Sequence, residues 1–231
     1  MFRLSKINVN IIIVCLLFLL SLLLITIAKP ETQLNSFTIR KLQQADMLVY
    51  SINTGGFGSG TYIEYKGKKY ILTVAHLFDS KEDLVTIIDN REDKDVFTRH
   101  KEVKIIKINV GIDLALLESK VSLELPYISL ASREAKENEI VFAIGNFCDL
   151  DDAIICGYVE RNAGNYFVMS NSIYFGCSGG AVVNSNGELV GVVSNLYALL
   201  RKRALSTRNV RVVRSGAVRL SVIKKFLEDV Q

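Results

Sequence analysis

Apolar residues are distributed along this chain in three ways. Ile11 to Ala28 is continuously apolar except for Ser21 and Thr26, and it comes after a start that carries Arg3 and Lys6. From about residue 46 the pattern changes to short Val- and Ile-rich runs broken by Gly, Asn or Asp, which is how half-buried and buried β-strands read. Ala181-Val182-Val183 and Leu189-Val190-Gly191-Val192-Val193, for example, flank Asn184-Ser185-Asn186-Gly187 and predict two strands around an Asn-Gly turn. Near the end, a single helix is expected at about 219 to 229. The chain has only two prolines and no repeats or low-complexity segments, so the reading is all-β with one closing helix.

The 18 residues of the first apolar run make about 27 Å of helix, just short of a ~30 Å hydrocarbon core and longer than the ~7 to 15 residues of a signal-peptide core. Residues 1–28 are therefore read as an uncleaved signal anchor. Thr26-Ile27-Ala28 offers a small-residue cleavage site, so a secreted product is the alternative, and either way the rest of the chain is exported. Residues 29–45, with Lys29-Pro30-Glu31 and weak periodicity, read as a tether with room for a short helix over Ser36 to Gln44.

Candidate chemistry begins at Gly176-Cys177-Ser178-Gly179-Gly180. A serine flanked by glycines sits on a tight turn with its hydroxyl exposed and backbone N–H groups aimed at one point. Such a hydroxyl needs a base, and the base needs a carboxylate to hold its tautomer. The pentapeptide also fits G-x-S-x-G, a nucleophile elbow whose chain order is serine, acid, histidine. His76 and His100 are the only histidines and both precede Ser178, and the residues after Ser178 read as strand rather than helix. His100 lies in Thr98-Arg99-His100-Lys101, a charged surface segment, and is given no role. Asp113 is bracketed by Ile112 and Leu114-Ala115-Leu116, so its carboxylate is expected to be buried and paired, with a histidine N–H the obvious partner.

With the order His76, Asp113, Ser178, the chain resembles the trypsin-like serine peptidases, and among them the protease domain of the Deg/HtrA proteins. Gly58-Ser59-Gly60-Thr61 with Tyr70 to His76 is similar to the strand pair that delivers the family's histidine, and Asp113 to Leu117 to its aspartate strand. Ile140 to Asn146 with Ile154 to Val159 resembles the hairpin opening its second barrel, and Ser215-Gly216-Ala217-Val218 its last strand. The resemblance implies a chymotrypsin-like fold of two six-stranded antiparallel β-barrels, over 46–130 and 131–231, with a C-terminal helix. It also implies a serine endopeptidase in which His76 is the base, Asp113 its orienting acid and Ser178 the nucleophile, with the N–H groups of Gly176 and Ser178 as oxyanion hole. Ser172, Phe175, Ser194, Leu196 and Gly216 are expected to bind substrate. None is charged, so a small or medium apolar side chain is the expected preference. No PDZ module is expected after the closing helix.

Cys177 departs from the family's usual aspartate or asparagine at that position. A neutral thiol cannot pair with a new N-terminal amine, so activation by that route is not expected, and Cys177 reads as a small packing residue. Cys148 and Cys156 flank the candidate turn at Asp149 to Asp152; a cross-strand disulfide and two free thiols are both open, and Cys15 is a hydrophobe in the apolar run.

Net charge is +4, but without Arg3 and Lys6 the rest has 26 basic and 24 acidic groups. Residues 201–214 hold Arg201, Lys202, Arg203, Arg208, Arg211 and Arg214 with no acid. That tract reads as a solvated loop and edge strand, with attraction to anionic lipid or acidic substrate segments as alternatives. No aromatic interleaving accompanies it, so nucleic acid is not expected as a partner. The expected partners are a protein or peptide substrate and, through the N-terminal segment, a membrane; no cofactor or metal is called for. An esterase on the same residues, and an inactive protease fold acting as a tethered binding module, are the rival functions.

Overall fold

The computed structural model describes residues 33–88, 100–119, 123, 125–147, 150–171, 173, 175–202 and 209–230. The proposed signal anchor at 1–28, and Cys15 with it, lies outside the described residues. Among the described residues, no helix is long and apolar enough to cross a membrane.

Helix α1 (Ser36–Ala45) comes first, capped by Asn35, whose side-chain Oδ1 accepts the Thr38 N–H at 2.8 Å. Its Leu42 and Ala45 are wholly buried and Leu34 ahead of it is 8% exposed. The short helix expected over Ser36 to Gln44 is thus present, and Leu34, Leu42 and Ala45 pack it against the core.

Strands β1 (Asp46–Ser51), β2 (Phe57–Tyr65), β3 (Lys68–Thr73), β4 (Val85–Ile88), β5 (His100–Asn109) and β6 (Leu114–Ser119) close the first barrel in the order β1-β2-β3-β6-β5-β4. His100 opens β5 and is backbone-paired with Ile88. Strands β7 (Ile140–Phe147), β8 (Leu150–Ala163), β9 (Tyr166–Met169), β10 (Ala181–Val183), β11 (Leu189–Lys202) and β12 (Asn209–Arg219) close the second in the order β10-β11-β12-β9-β8-β7. The pairings among these strands are antiparallel, and closure removes the open edges that would otherwise template association. The two-barrel, all-β expectation holds.

The β7–β8 hairpin forms where expected. Its register sets Cys156 opposite Phe142, and Cys156 is a free thiol. Cys148, the partner considered for it, lies outside the described residues. Partial burial pushes the Cys156 thiol up, which further disfavours the reactive thiolate. Of the basic tract, Arg201 and Lys202 lie on β11 and Arg211 and Arg214 on β12, where Leu196 to Lys202 pair with Ser215 to Asn209, while Arg203 and Arg208 lie outside the described residues. Arg214 is matched there by Glu160 at 2.6 Å.

Helix α2 (Leu220–Leu227) buries Leu220, Ile223, Phe226 and Leu227. Its orphan C-terminal carbonyls are met by lysines of the first barrel: Lys107 Nζ donates to Phe226 O at 2.6 Å, and Lys66 Nζ to Glu228 O and Val230 O at 2.9 and 3.1 Å. Because Lys107 is only half-buried, Lys107→Met is expected to lower unfolding free energy by about 1 kcal/mol, read as a shift in urea midpoint at constant slope.

Candidate active site

Strand β3 is followed by a single turn of 3-10 helix, Ala75–Leu77, in which Ala75 and Leu77 are buried and His76 between them is not. Apolar neighbours thus fix the turn and leave the imidazole facing outward. Opposite it, Asn109 Oδ1 accepts the N–H groups of Gly111 and Ile112 at 3.0 and 3.3 Å and builds the turn that ends in Asp113. Asp113 has φ of +56°, a left-handed conformation that aspartate and asparagine tolerate better than other side chains. The next run, Leu114 to Leu117, is completely buried in β6, so the carboxylate is held at the mouth of a rigid strand.

Three donors converge on that carboxylate. His76 Nδ1 lies 2.9 Å from Oδ2 and 3.1 Å from Oδ1, the His76 backbone N–H donates to Oδ1 at 3.0 Å, and Ser194 Oγ donates to Oδ2 at 2.5 Å. The Asp113 side chain is 14% exposed and that of His76 46%. An acceptor at Nδ1 places the imidazole proton there and leaves Nε2 as the free base on the solvent side. His76 and Asp113 are therefore together as expected. Ser194, expected as a wall of the substrate pocket, also acts on Asp113.

Ser178 lies in the same cavity, of about 950 Å³, as His76, Asp113 and Ser194. No hydrogen bond joins Ser178 to His76 among the described residues, and such contacts commonly tighten only when substrate arrives. The loop carrying Ser178 needs its glycines: Gly176 and Gly179 have φ of +99° and +94°. A Cβ on Gly176 would overlap the Asn146 carbonyl, and one on Gly179 the Ser59 carbonyl and Thr73 Oγ1. Cys177 is 1% exposed, its Sγ 3.9 Å from the Asn146 carbonyl, as its packing role implies.

The remaining expected substrate residues separate. Phe175 lines the cavity and is exposed, whereas Gly216 sits buried in β12 between Asn195 and Val168, away from the lining. The adjacent Ser215 hydroxyl turns inward to Asn171 O at 2.5 Å. Ser172 and the side chain of Leu196 lie outside the described residues. Phe57, Leu77 and Val110 also line the cavity, with Phe57 and Val110 exposed. Phe57 opens β2, Leu77 follows His76 in the 3-10 turn and Val110 lies in the turn after β5, and their convergence on one cavity only the three-dimensional fold reveals. Among the described residues, the lining apart from His76 and Asp113 is uncharged.

A sequence model of the trypsin-like peptidase domain matches residues 58–192, which include His76, Asp113 and Ser178. The chain is 29% identical over 167 residues to the serine endoprotease DegS of Haemophilus influenzae, covering 68% of this chain and 45% of that protein. It is 32% identical over 152 residues to a probable periplasmic serine protease, do/HhoA-like, of the same organism, covering 61% and 31%. Among solved structures, a serine endoprotease from Yersinia pestis superposes with a TM-score of 0.64 at 26% identity, covering 83% of this chain and 64% of that one. The chain thus spans less than half the length of the two Haemophilus relatives.

Proposed function

The chain belongs to the trypsin-like peptidase domain family, and from that premise we propose that it is a serine endopeptidase. One observation carries the reading: the His76–Asp113 pair, its acceptor completed by Ser194, opens into the same cavity as a serine on a double-glycine turn. Ser178 Oγ attacks the scissile carbonyl while His76 Nε2 removes its proton, and the imidazolium is stabilised by Asp113. The same proton is then given to the leaving amine, and water repeats the sequence on the acyl-enzyme. The N–H groups of Gly176 and Ser178 receive the oxyanion, a contribution of about 2.7–4 kcal/mol for such a donor. The inactive alternative has no support here, since the three side chains and both flanking glycines are intact.

The substrate is an extended peptide entering with an apolar side chain. Phe57, Val110 and Phe175 expose apolar surface on the cleft rim, and among the described lining residues Asp113, already engaged, is the one acid. The domain works outside the cytoplasm, delivered by the apolar run at 11–28, which stays in the membrane as an anchor. Only residues 29–33 then separate that run from Leu34, which belongs to the folded core. Purified protein offered a peptide library is expected to cut after small or medium apolar residues at least tenfold faster than after Lys or Arg. Preferred cutting after basic residues would overturn the specificity, and no cutting of any peptide would overturn the function.

A further inference from the structure

A buried polar chain runs from the first residue of β1 to the loop that carries Ser178. Asp46, 6% exposed, accepts from Asn146 Nδ2 at 2.8 Å. The Asn146 backbone N–H donates to Ser59 Oγ at 2.8 Å, and Ser59 Oγ donates onward to the Gly176 carbonyl at 2.8 Å. The main chain of Ser59 is engaged as well: its N–H donates to the Ser178 carbonyl at 2.7 Å, and its carbonyl accepts from Thr73 Oγ1 at 2.7 Å. Ser59 and Asn146 are both buried. One residue of the first barrel therefore grips the loop of the second on both sides of Cys177, at the carbonyls of Gly176 and Ser178.

Peptide planarity carries this grip to the chemistry. Fixing the Gly176 carbonyl fixes the 176–177 peptide plane, and fixing the Ser178 carbonyl fixes the 178–179 plane. Each candidate oxyanion donor, the N–H of Gly176 and of Ser178, then stands one Cα rotation from a fixed plane. A neutral Cys177 cannot anchor the loop by an ion pair, so the loop depends on neutral hydrogen bonds whose far end is a buried carboxylate. Asp46 is itself placed by α1, since its backbone N–H donates to Leu42 O at the helix terminus.

We propose that Ser59, oriented by Asn146 and Asp46, is the positioning residue that sets the oxyanion-binding geometry of the Ser178 loop. The proposal rests on the serine peptidase reading and adds to it how the loop is kept competent without an N-terminal ion pair.

The test compares wild type with Ser59→Ala and Asp46→Asn, normalising turnover to the number of sites labelled by a fluorophosphonate. In Ser59→Ala, kcat per labelled site is expected to fall roughly 10- to 100-fold, below the 10²–10³ typical of deleting an oxyanion donor outright, with KM within about twofold. A merely structural role would reduce the number of labelled sites and leave turnover per site unchanged. Amide exchange at Cys177 and Ser178, read by NMR, is expected to quicken in both variants while the barrel strands keep their protection. Asp46→Asn, which keeps the shape and removes the charge, carries the same measurements if Ser59→Ala does not fold. Turnover per site and loop exchange both at wild-type values would overturn the proposal. A wild-type protein that takes no label overturns the peptidase reading instead, and the exchange comparison then decides for or against the role of Ser59 alone.

Discussion

Ser178→Ala is expected to take no fluorophosphonate label and to lose peptide turnover by about 10⁶-fold, the scale seen when such a nucleophile is removed from an assembled site. The substitution deletes one hydroxyl and little else. Ser178 is held through its backbone, by the Ser59 N–H on its carbonyl, and that bond survives. Its φ is not among the positive values that forbid a Cβ, so alanine enters the turn unstrained. Thermal unfolding should therefore be unchanged within about 0.5 kcal/mol. Rate should not fall to that of water, because a cavity that still orients the peptide and the N–H groups of Gly176 and Ser178 retain about 10³–10⁴-fold of catalysis. Labelling that persists in this variant would assign the reactive group elsewhere. A proteome digested by wild type and by Ser178→Ala, compared for new termini, would identify the physiological substrates by the same contrast.

The catalytic order and the strands around it are legible in the sequence because they are local. A Val/Ile run ending at His76, a buried aspartate strand and a glycine-flanked serine each carry their signal within about ten residues, whereas the barrels close through nonlocal pairs, β1 with β4 and β3 with β6, β7 with β10 and β9 with β12. The features that escape are nonlocal. Ser194 lies 81 residues from Asp113 and reads as an ordinary pocket wall until the fold brings its hydroxyl to the carboxylate. Ser59 and Gly176 are 117 residues apart, and nothing in Gly58-Ser59-Gly60 announces that the hydroxyl faces the second barrel. The short helix expected over Ser36 to Gln44 forms as α1, but its docking through Leu42 and Ala45 is not legible, because a segment of 10 residues with only those two buried has a weak pattern. For Cys156 the sequence leaves bridge and free thiol equally open, and the fold shows it as a free thiol opposite Phe142.

Asp113→Asn is expected to lower kcat by about 10⁴-fold while leaving the fold intact, the loss known for this change in a triad of the same construction. Asparagine is isosteric and tolerates the left-handed φ of +56°, so the turn built on Asn109 need not rearrange. The damage is electronic. The carboxylate now accepts from His76 Nδ1, the His76 backbone N–H and Ser194 Oγ. A carboxamide has one oxygen to accept and one NH₂ that must donate. With the oxygen kept on the backbone N–H, the NH₂ faces Nδ1, which must become an acceptor and carry its lone pair inward. The imidazole proton then moves to Nε2, the position that has to receive the Ser178 proton, and the imidazolium of the transition state loses its counter-charge. KM should change little, since Asp113 lies behind His76 and contributes no apolar wall. The check is kcat and KM for one peptide in both proteins, alongside thermal unfolding. A fall of less than about tenfold with an unchanged melting temperature would mean that Asp113 does not set the His76 tautomer, and the assignment of His76 as base would fall with it.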